Sequence, residues 1–399
     1  VRAPPGLILA LALLASGAAA APKNELTVLP VAGGDSDIGI GVGYIASFAR
    51  VTPEHEPYLY RFESAGAISF LPHEDSVELS YLDDYLLVHL PHVVPKKLGL
   101  TARVSYTRAS TLKFYGIGNA SEIEPGRNAK DDYYEYQRVY PAVRLRATFQ
   151  AAPALDINYG VSYEKNDLEV PPDGKLAETR AGGSAEEQRL VGGADDFSVV
   201  TFLLGVAFDT RDDEVSTHRG QFHEARVELA PGGTQSVPHR FGRADLIARL
   251  YLPLLAPRLT LATRGVVDLL FGNAPFYELS RFEGSSALGG LRGVRGIPAD
   301  RYSGKIKLFG SVELRSELFS ARFFGKQNTF GLTGFFDAGR VFADYRASPE
   351  LDGSGLGLKY GAGAGLRLAA GDSFVLRFDV AWSPDADPVG AYLTSGHCF

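Results

Sequence analysis

Residues 288–305, LGGLRGVRGIPADRYSGK, gather Arg292, Arg295, Arg301 and Lys305 into one stretch of a chain whose formal net charge is −7. Five glycines in that stretch exclude a stable helix, because glycine loses more backbone freedom on ordering than any other residue. A loop of this kind is suited to pairing with acids. The guanidinium keeps its charge and can fork two carboxylate oxygens at once. Two downstream segments supply partners. GSVELRSEL sets Glu313, Arg315 and Glu317 on one face of an extended segment, and TGFFDAGRVF sets Phe335, Asp337 and Gly339 on one face. Phe336 and Val341 are assigned to the opposite, apolar side. The spacings therefore predict a loop arginine docked on Glu313 and Asp337. The competing expectation is a solvated loop whose arginines bind phosphate groups.

Other chemistries find little support. The sequence holds no G-x-S-x-G elbow and no H-E-x-x-H pattern, and His223-Glu224 stands isolated among eight histidines. KNDLEVPPDGK, at 165–175, lacks EF-hand spacing. Cys398 is the only cysteine, so neither a disulfide framework nor a cysteine metal site is expected. The acidic balance disfavours nucleic acid, whose phosphates would repel it. The expectation is a protein that is not an enzyme and has no cofactor or metal.

The elements that must position the loop are strands, and the signal is alternation with a period of two. In RVYPAVRLRATF, Arg138, Arg144, Arg146 and Thr148 oppose Val139, Val143, Leu145 and Phe149. In GRADLIARLYL, Arg243, Asp245 and Arg249 oppose Ala244, Leu246, Ala248 and Leu250; in SFVLRFDVAWS, Arg377 and Asp379 oppose Leu376, Phe378, Val380 and Trp382. Alternation alone fits a soluble sandwich as well as a membrane barrel. Loop lengths separate them. Sixteen strands are predicted, at 26–33, 37–50, 57–70, 75–89, 98–109, 133–150, 154–166, 196–209, 220–231, 240–252, 258–270, 305–318, 328–343, 357–369, 373–383 and 390–399. The long connections 110–132, 167–195, 271–304 and 344–356 then all fall at one end, and the other end has short turns such as AAP at 151–153. That asymmetry belongs to outer-membrane barrels. The fold expected is all-β, a closed sixteen-stranded antiparallel transmembrane barrel with the cationic loop folded inward. Charges facing lipid would cost roughly 2–4 kcal/mol each for Arg or Lys at midplane, so they must line the lumen.

Residues 1–21, VRAPPGLILALALLASGAAAA, carry one arginine, an apolar run from Leu7 to Leu14 and then small residues. They read as a signal peptide cleaved after Ala20 or Ala21, leaving 22–399 as the barrel. The apolar run falls short of the ~20 residues that span a bilayer.

GGLRGVRGIPADRYSGK, followed by VELR, FDAGRVF, GAGAGLRL and FVLRFDVAWSP, resembles the barrel of the bacterial surface antigen family, the outer-membrane assembly factors of the BamA and TamA type. FYGIGN at 114–119, DTRDDEVSTHRG at 209–220 and PFYELSRFEG at 275–284 are similar to further recurrent segments, in the same order. The resemblance implies an outer-membrane protein of a Gram-negative-type bacterium that assists insertion or transport of proteins. It also implies a loop arginine packed against acids on the twelfth and thirteenth strands. The matching motif is Val294-Arg295-Gly296, with Ile297 in the family's aromatic place and Arg301-Tyr302 in support; Glu313 and Asp337 are the acids. Leu291-Arg292-Gly293 matches three residues earlier, which makes Arg292 the alternate.

Family assembly factors carry periplasmic POTRA domains, whereas only PKNE stands between the expected cleavage site and the first strand. The expected partners are outer-membrane lipids and lipopolysaccharide, client outer-membrane proteins, and a separate periplasmic POTRA-bearing or chaperone protein. The alternative is a passive pore or a structural surface barrel without insertase activity. The closing seam bears on that choice. Pro30 in the first strand cannot donate a ladder hydrogen bond, and Gly390 and Gly396 interrupt the last. Phe399 resembles the terminal aromatic by which outer-membrane barrels are recognised for insertion.

Overall fold

The computed structural model describes residues 22–399, apart from 36–38, 53–54, 74–75, 96, 130, 256–257, 282–287, 324–325, 371–373 and 386–388. The expected signal peptide lies outside the described residues. Among these, seventeen strand segments join one antiparallel sheet. Two of them, Glu135–Val139 and Ala142–Ala152, are halves of a single strand interrupted at Tyr140-Pro141. Pro141 has no N–H to offer the ladder. The register nevertheless carries across the break, since the Tyr140 N–H donates to the Thr107 carbonyl oxygen at 2.8 Å. Seventeen segments with two merged make sixteen strands.

We number them β1 (Lys23–Asp35), β2 (Gly39–Thr52), β3 (His55–His73), β4 (Ser76–Val94), β5 (Leu98–Lys113), β6 (the two halves above), β7 (Leu155–Glu169) and β8 (Asp196–Asp209). The second half comprises β9 (Gly220–Ala230), β10 (Arg240–Leu255), β11 (Leu259–Asn273), β12 (Ile306–Phe323), β13 (Lys326–Phe342), β14 (Lys359–Ala370), β15 (Phe374–Trp382) and β16 (Gly390–Ser395). Each strand pairs with its sequence neighbours, and β16 returns to β1, closing the ring.

Burial settles what alternation left open. The large apolar side chains face outward, Leu145 at 50%, Phe202 at 52% and Leu366 at 57% exposure, while Arg243, Lys307 and Glu313 lie at 1% or less inside. A soluble sandwich would show the reverse. A ring with an apolar exterior, each strand paired to its neighbours, is the form in which a sheet crosses a bilayer.

The long connections gather at one end and carry the helices α1 (Lys175–Gly182), α2 (Ala185–Val191), α3 (Tyr277–Ser280) and α4 (Pro349–Asp352). Helix α2 is short, yet its start is fixed by a reciprocal cap between Ser184 and Glu187. Beneath these helices Phe114, Ile117, Leu176, Val191, Phe276 and Leu351 belong to one buried apolar cluster, so the long-loop end is roofed by a dome. At the other end one connection, predicted with the same bounds, is longer than its neighbours. Thr210 to Arg219 form a ten-residue loop between β8 and β9. It is ordered by Asp212, which accepts from the His218 N–H at 3.0 Å, and by Asp213, which accepts from Val215 and Ser216. The last strand is shorter than expected: it stops at Ser395, not Phe399.

Candidate functional site: the re-entrant loop and the seam

The connection between β11 and β12 turns back into the barrel. Its first anchor is Arg243 on the inner face of β10, which donates to the main-chain oxygens of Glu278 and Arg281 at 2.6 and 3.0 Å and to the Glu278 carboxylate at 2.9 Å. Arg243 also pairs with Asp268, which takes Lys307 as a second cation at 3.1 Å. The sequence reading put Arg243 inside but missed its use as an anchor for this loop. The signal was PFYELSRFEG, whose acid and arginine lie three residues apart.

Deeper in, Arg295 is fully buried. Its Nε and Nη2 fork Asp337 at 2.7 and 3.0 Å, and its Nη1 donates to Glu313 at 2.7 Å and to Asp379 at 3.1 Å. The Arg295 main-chain N–H adds a bond to Asp337 at 3.2 Å. The guanidinium lies 3.5 Å from the centroid of the Phe335 ring, so its face is covered as well as its edge. The acids are themselves held. Ser311 Oγ donates to Asp337 at 2.6 Å, Arg315 Nε to Glu313 at 2.8 Å and Arg367 Nη1 to Asp379 at 2.5 Å. Asp379 is the partner that the sequence reading placed inside without assigning to the loop; no spacing in the sequence gives the register that brings β15 to Arg295.

Arg295, and not Arg292, meets Glu313 and Asp337. The Arg292 carbonyl instead accepts a hydrogen bond from Arg264. Val294 and Ile297 are fully buried in an apolar cluster with Leu288, Tyr302, Phe309 and Val341. Ile297 therefore fills the family's aromatic place by aliphatic packing. Val341 corrects an expectation: it shares the inward face with Asp337 and does not join Phe336 on the lipid side, because 337 and 341 have the same parity. Gly296 has φ +96°, and a Cβ there would lie 2.9 Å from the Trp382 carbonyl carbon. Both the left-handed backbone and the close approach require glycine.

The supporting pair works toward the dome. Arg301 donates from Nη1 and Nη2 to Ser121 at 2.8 and 2.6 Å, and the Tyr302 ring receives Lys359 at 4.6 Å from its centroid. The FYGIGN segment meets the loop here, the Gly118 N–H bonding the Ser303 carbonyl oxygen at 2.7 Å. Asn119 reaches on to the Gly357 carbonyl oxygen and accepts from the Val341 N–H.

Among the described residues the seam is the shortest ladder of the ring: β1 and β2 share thirteen residue pairs, whereas β1 and β16 share two, Gly34 with Leu393 and Asp35 with Tyr392. Pro30 lies within β1 opposite Tyr44, away from the paired positions, and Gly390 pairs with Ala381 of β15. The shortness of the seam thus comes from the end of β16. Gly396 takes φ +80° and turns the chain off the wall. Beyond it the tail curls inside: Cys398 Sγ faces the Leu291 carbonyl oxygen at 3.5 Å, and Arg315 donates to the Phe399 carbonyl oxygen at 2.8 Å. The Phe399 ring sits beneath the guanidiniums of Arg264 and Arg315. The expectation of a strand running to Phe399 is thereby corrected. Tyr392, which the sequence reading did not single out, joins seam to loop, its hydroxyl accepting from the Gly296 N–H at 3.0 Å.

Solved structures with this fold include BamA from Haemophilus ducreyi lacking POTRA domains 1-3, at TM-score 0.61 and 13% identity, covering 94% of this chain and 70% of that one. CdiB from Escherichia coli matches at TM-score 0.60 and 13% identity, covering 94% and 67%, and CdiB from Acinetobacter baumannii at 0.51 and 12%, covering 94% and 66%. No curated protein matches the sequence. Residues 68–392 match the Omp85 superfamily domain, most of the ring together with the inward loop, and the chain belongs to that superfamily.

Proposed function

We propose that this outer-membrane barrel admits client proteins at the β1–β16 seam, as an insertase or translocase, with the Arg295 loop as an internal brace that keeps the wall in shape while the seam opens. The observation that carries the reading is the contrast, among the described residues, between two residue pairs at the seam and thirteen at the neighbouring ladder. Each ladder hydrogen bond contributes about 0.5–1.5 kcal/mol net, so parting this seam costs far less than parting any full ladder. The rest of the β1 edge is then open to pairing with an incoming strand, the physical basis of strand addition. Arg295 connects β12, β13 and β15 through one side chain, and Tyr392 links the loop to the last strand. That geometry stiffens the wall on the β16 side and leaves β1 free to move. Clients, outer-membrane lipids and a separate POTRA-bearing or chaperone protein are the partners this role calls for, and export by the signal sequence at 1–21 belongs to the same reading.

The experiment replaces Cys398 by Ser and measures insertion of a client barrel into vesicles. It places Leu393→Cys in β16 and a second cysteine at the facing end of β1, away from Gly34, where a Cβ would meet the Gly39 carbonyl oxygen at 2.1 Å. Oxidation should abolish insertion and reduction should restore it. Equal insertion with the crosslink formed would reject the seam as the route.

A further inference from the structure

The short-turn end of the lumen holds more positive charge than its acids can satisfy. Glu313, Asp337 and Asp379 are shared among Arg295, Arg315, Arg367 and Arg377. Arg367 and Arg377 stand directly opposite each other on β14 and β15, 6% and 2% exposed. Like charges in that position repel. Asp379 lies between them, but it bonds Arg367 at 2.5 Å and reaches Arg377 only at 3.6 Å. Nη1 of Arg315, Nε and Nη2 of Arg367, Nε and Nη1 of Arg377 and Nδ1 of His397 are all buried with no hydrogen-bond partner among the described residues. Buried polar groups are nearly always paired, and an unpaired buried charge costs most of all.

Those of Arg315, Arg367 and His397 border one space, and Arg377 stands behind Arg367. A cavity of about 40 Å³ is lined by Arg315, Arg367, Thr333 and His397, and by Arg258, His218 and Glu317, the last two paired with each other at 2.9 Å. That volume holds two or three waters or one small anion, at roughly 10–15 Å³ per water. Gly331, opposite Arg367 on β13, adds no side chain to fill it.

We propose that this cavity binds one small oxyanion, a phosphate or carboxylate group, held by the free donors of Arg315 and Arg367 and reached from the short-turn end. An oxyanion supplies acceptors to both guanidiniums at once and offsets the repulsion between Arg367 and Arg377. Neither the seam nor the Arg295 brace requires this site, so it can fail without them.

The test is calorimetric titration of the whole barrel, in zwitterionic micelles, with inorganic phosphate and separately with acetate, at ionic strength held constant with chloride. Saturable one-to-one binding of either ion is expected, a phosphate preference indicating a phosphate source and an acetate preference a carboxylate source. Arg367→Gln should weaken it roughly tenfold, the loss of one charge-assisted hydrogen bond. Arg189→Gln, on the exposed dome, should leave it unchanged. Should Arg367→Gln fail to fold, Thr333→Val on the cavity wall carries the test, with weakening expected. Absence of saturable binding to both ions in the unaltered protein, or affinity unchanged in the folded cavity variants, overturns the proposal.

Discussion

Truncating Arg295 to alanine tests the brace most directly, and the structure says where the loss will fall. The guanidinium makes four hydrogen bonds to three acids. Two of those acids keep another cation afterwards, Glu313 the Arg315 Nε and Asp379 the Arg367 Nη1. Asp337 keeps only the Ser311 hydroxyl and the residue 295 main-chain N–H. The penalty is thus the stranding of one fully buried carboxylate, about 3–5 kcal/mol. Arg295→Lys retains the charge but loses the fork and should cost about 1.5–3 kcal/mol. Adding Asp337→Asn to Arg295→Ala should recover stability, since the stranded charge is gone, while Arg292→Ala should cost less than about 1 kcal/mol. Trp382 is the only tryptophan and its main chain runs beside Gly296, so urea titration in micelles followed by its emission reports on the site. Trypsin cleavage within 288–305 reports separately on whether the loop has left the lumen. Additivity of the Arg295→Ala and Asp337→Asn costs within ~0.5 kcal/mol, or an Arg292→Ala cost equal to that of Arg295→Ala, would refute the reasoning.

Two further outcomes follow from the same geometry. Gly296→Ala should destabilise by about 1–2 kcal/mol, the cost of a side chain in left-handed backbone, with more from the clash against Trp382; an unchanged urea midpoint would contradict it. In the Thr210–Arg219 loop, burial pushes the Asp212 carboxyl upward, but the main-chain N–H groups of Arg219 and His218 outweigh it and hold it below the ordinary aspartate value. A depressed folded value means the contribution is complete above the unfolded value and lost as pH falls through the folded one. Carbon-detected NMR titration of Asp212 should therefore give a midpoint below the ordinary value, and a midpoint at or above it would show that those bonds do not form.

All sixteen strands were legible because the bilayer imposes one rule on every one of them: apolar outward, charged inward, at a period of two. Loop lengths gave the polarity of the ring for the same reason, one end being free to elaborate. Within the site, Arg295, Glu313 and Asp337 could be named from residue type and motif. What stayed hidden depended on register and on backbone turns. Asp379 is 84 residues from Arg295, and nothing local tells which inward acid of β15 stands level with the loop. Gly396 could be seen as a weak point of the last strand, but its left-handed conformation, and so the inward tail, is a choice made by tertiary contacts with Leu291 and Arg315. Val341 was misplaced because an apolar residue was assumed to seek lipid, when an apolar loop inside the lumen offered it equal cover.

The tail of the chain couples two distant parts of the molecule. Cys398 meets the Leu291 carbonyl oxygen from within the cylinder, so the tail and the long connection lean on one another inside the same enclosed space. A substitution that shifts one of them is therefore felt by the other, although the two are more than a hundred residues apart in sequence.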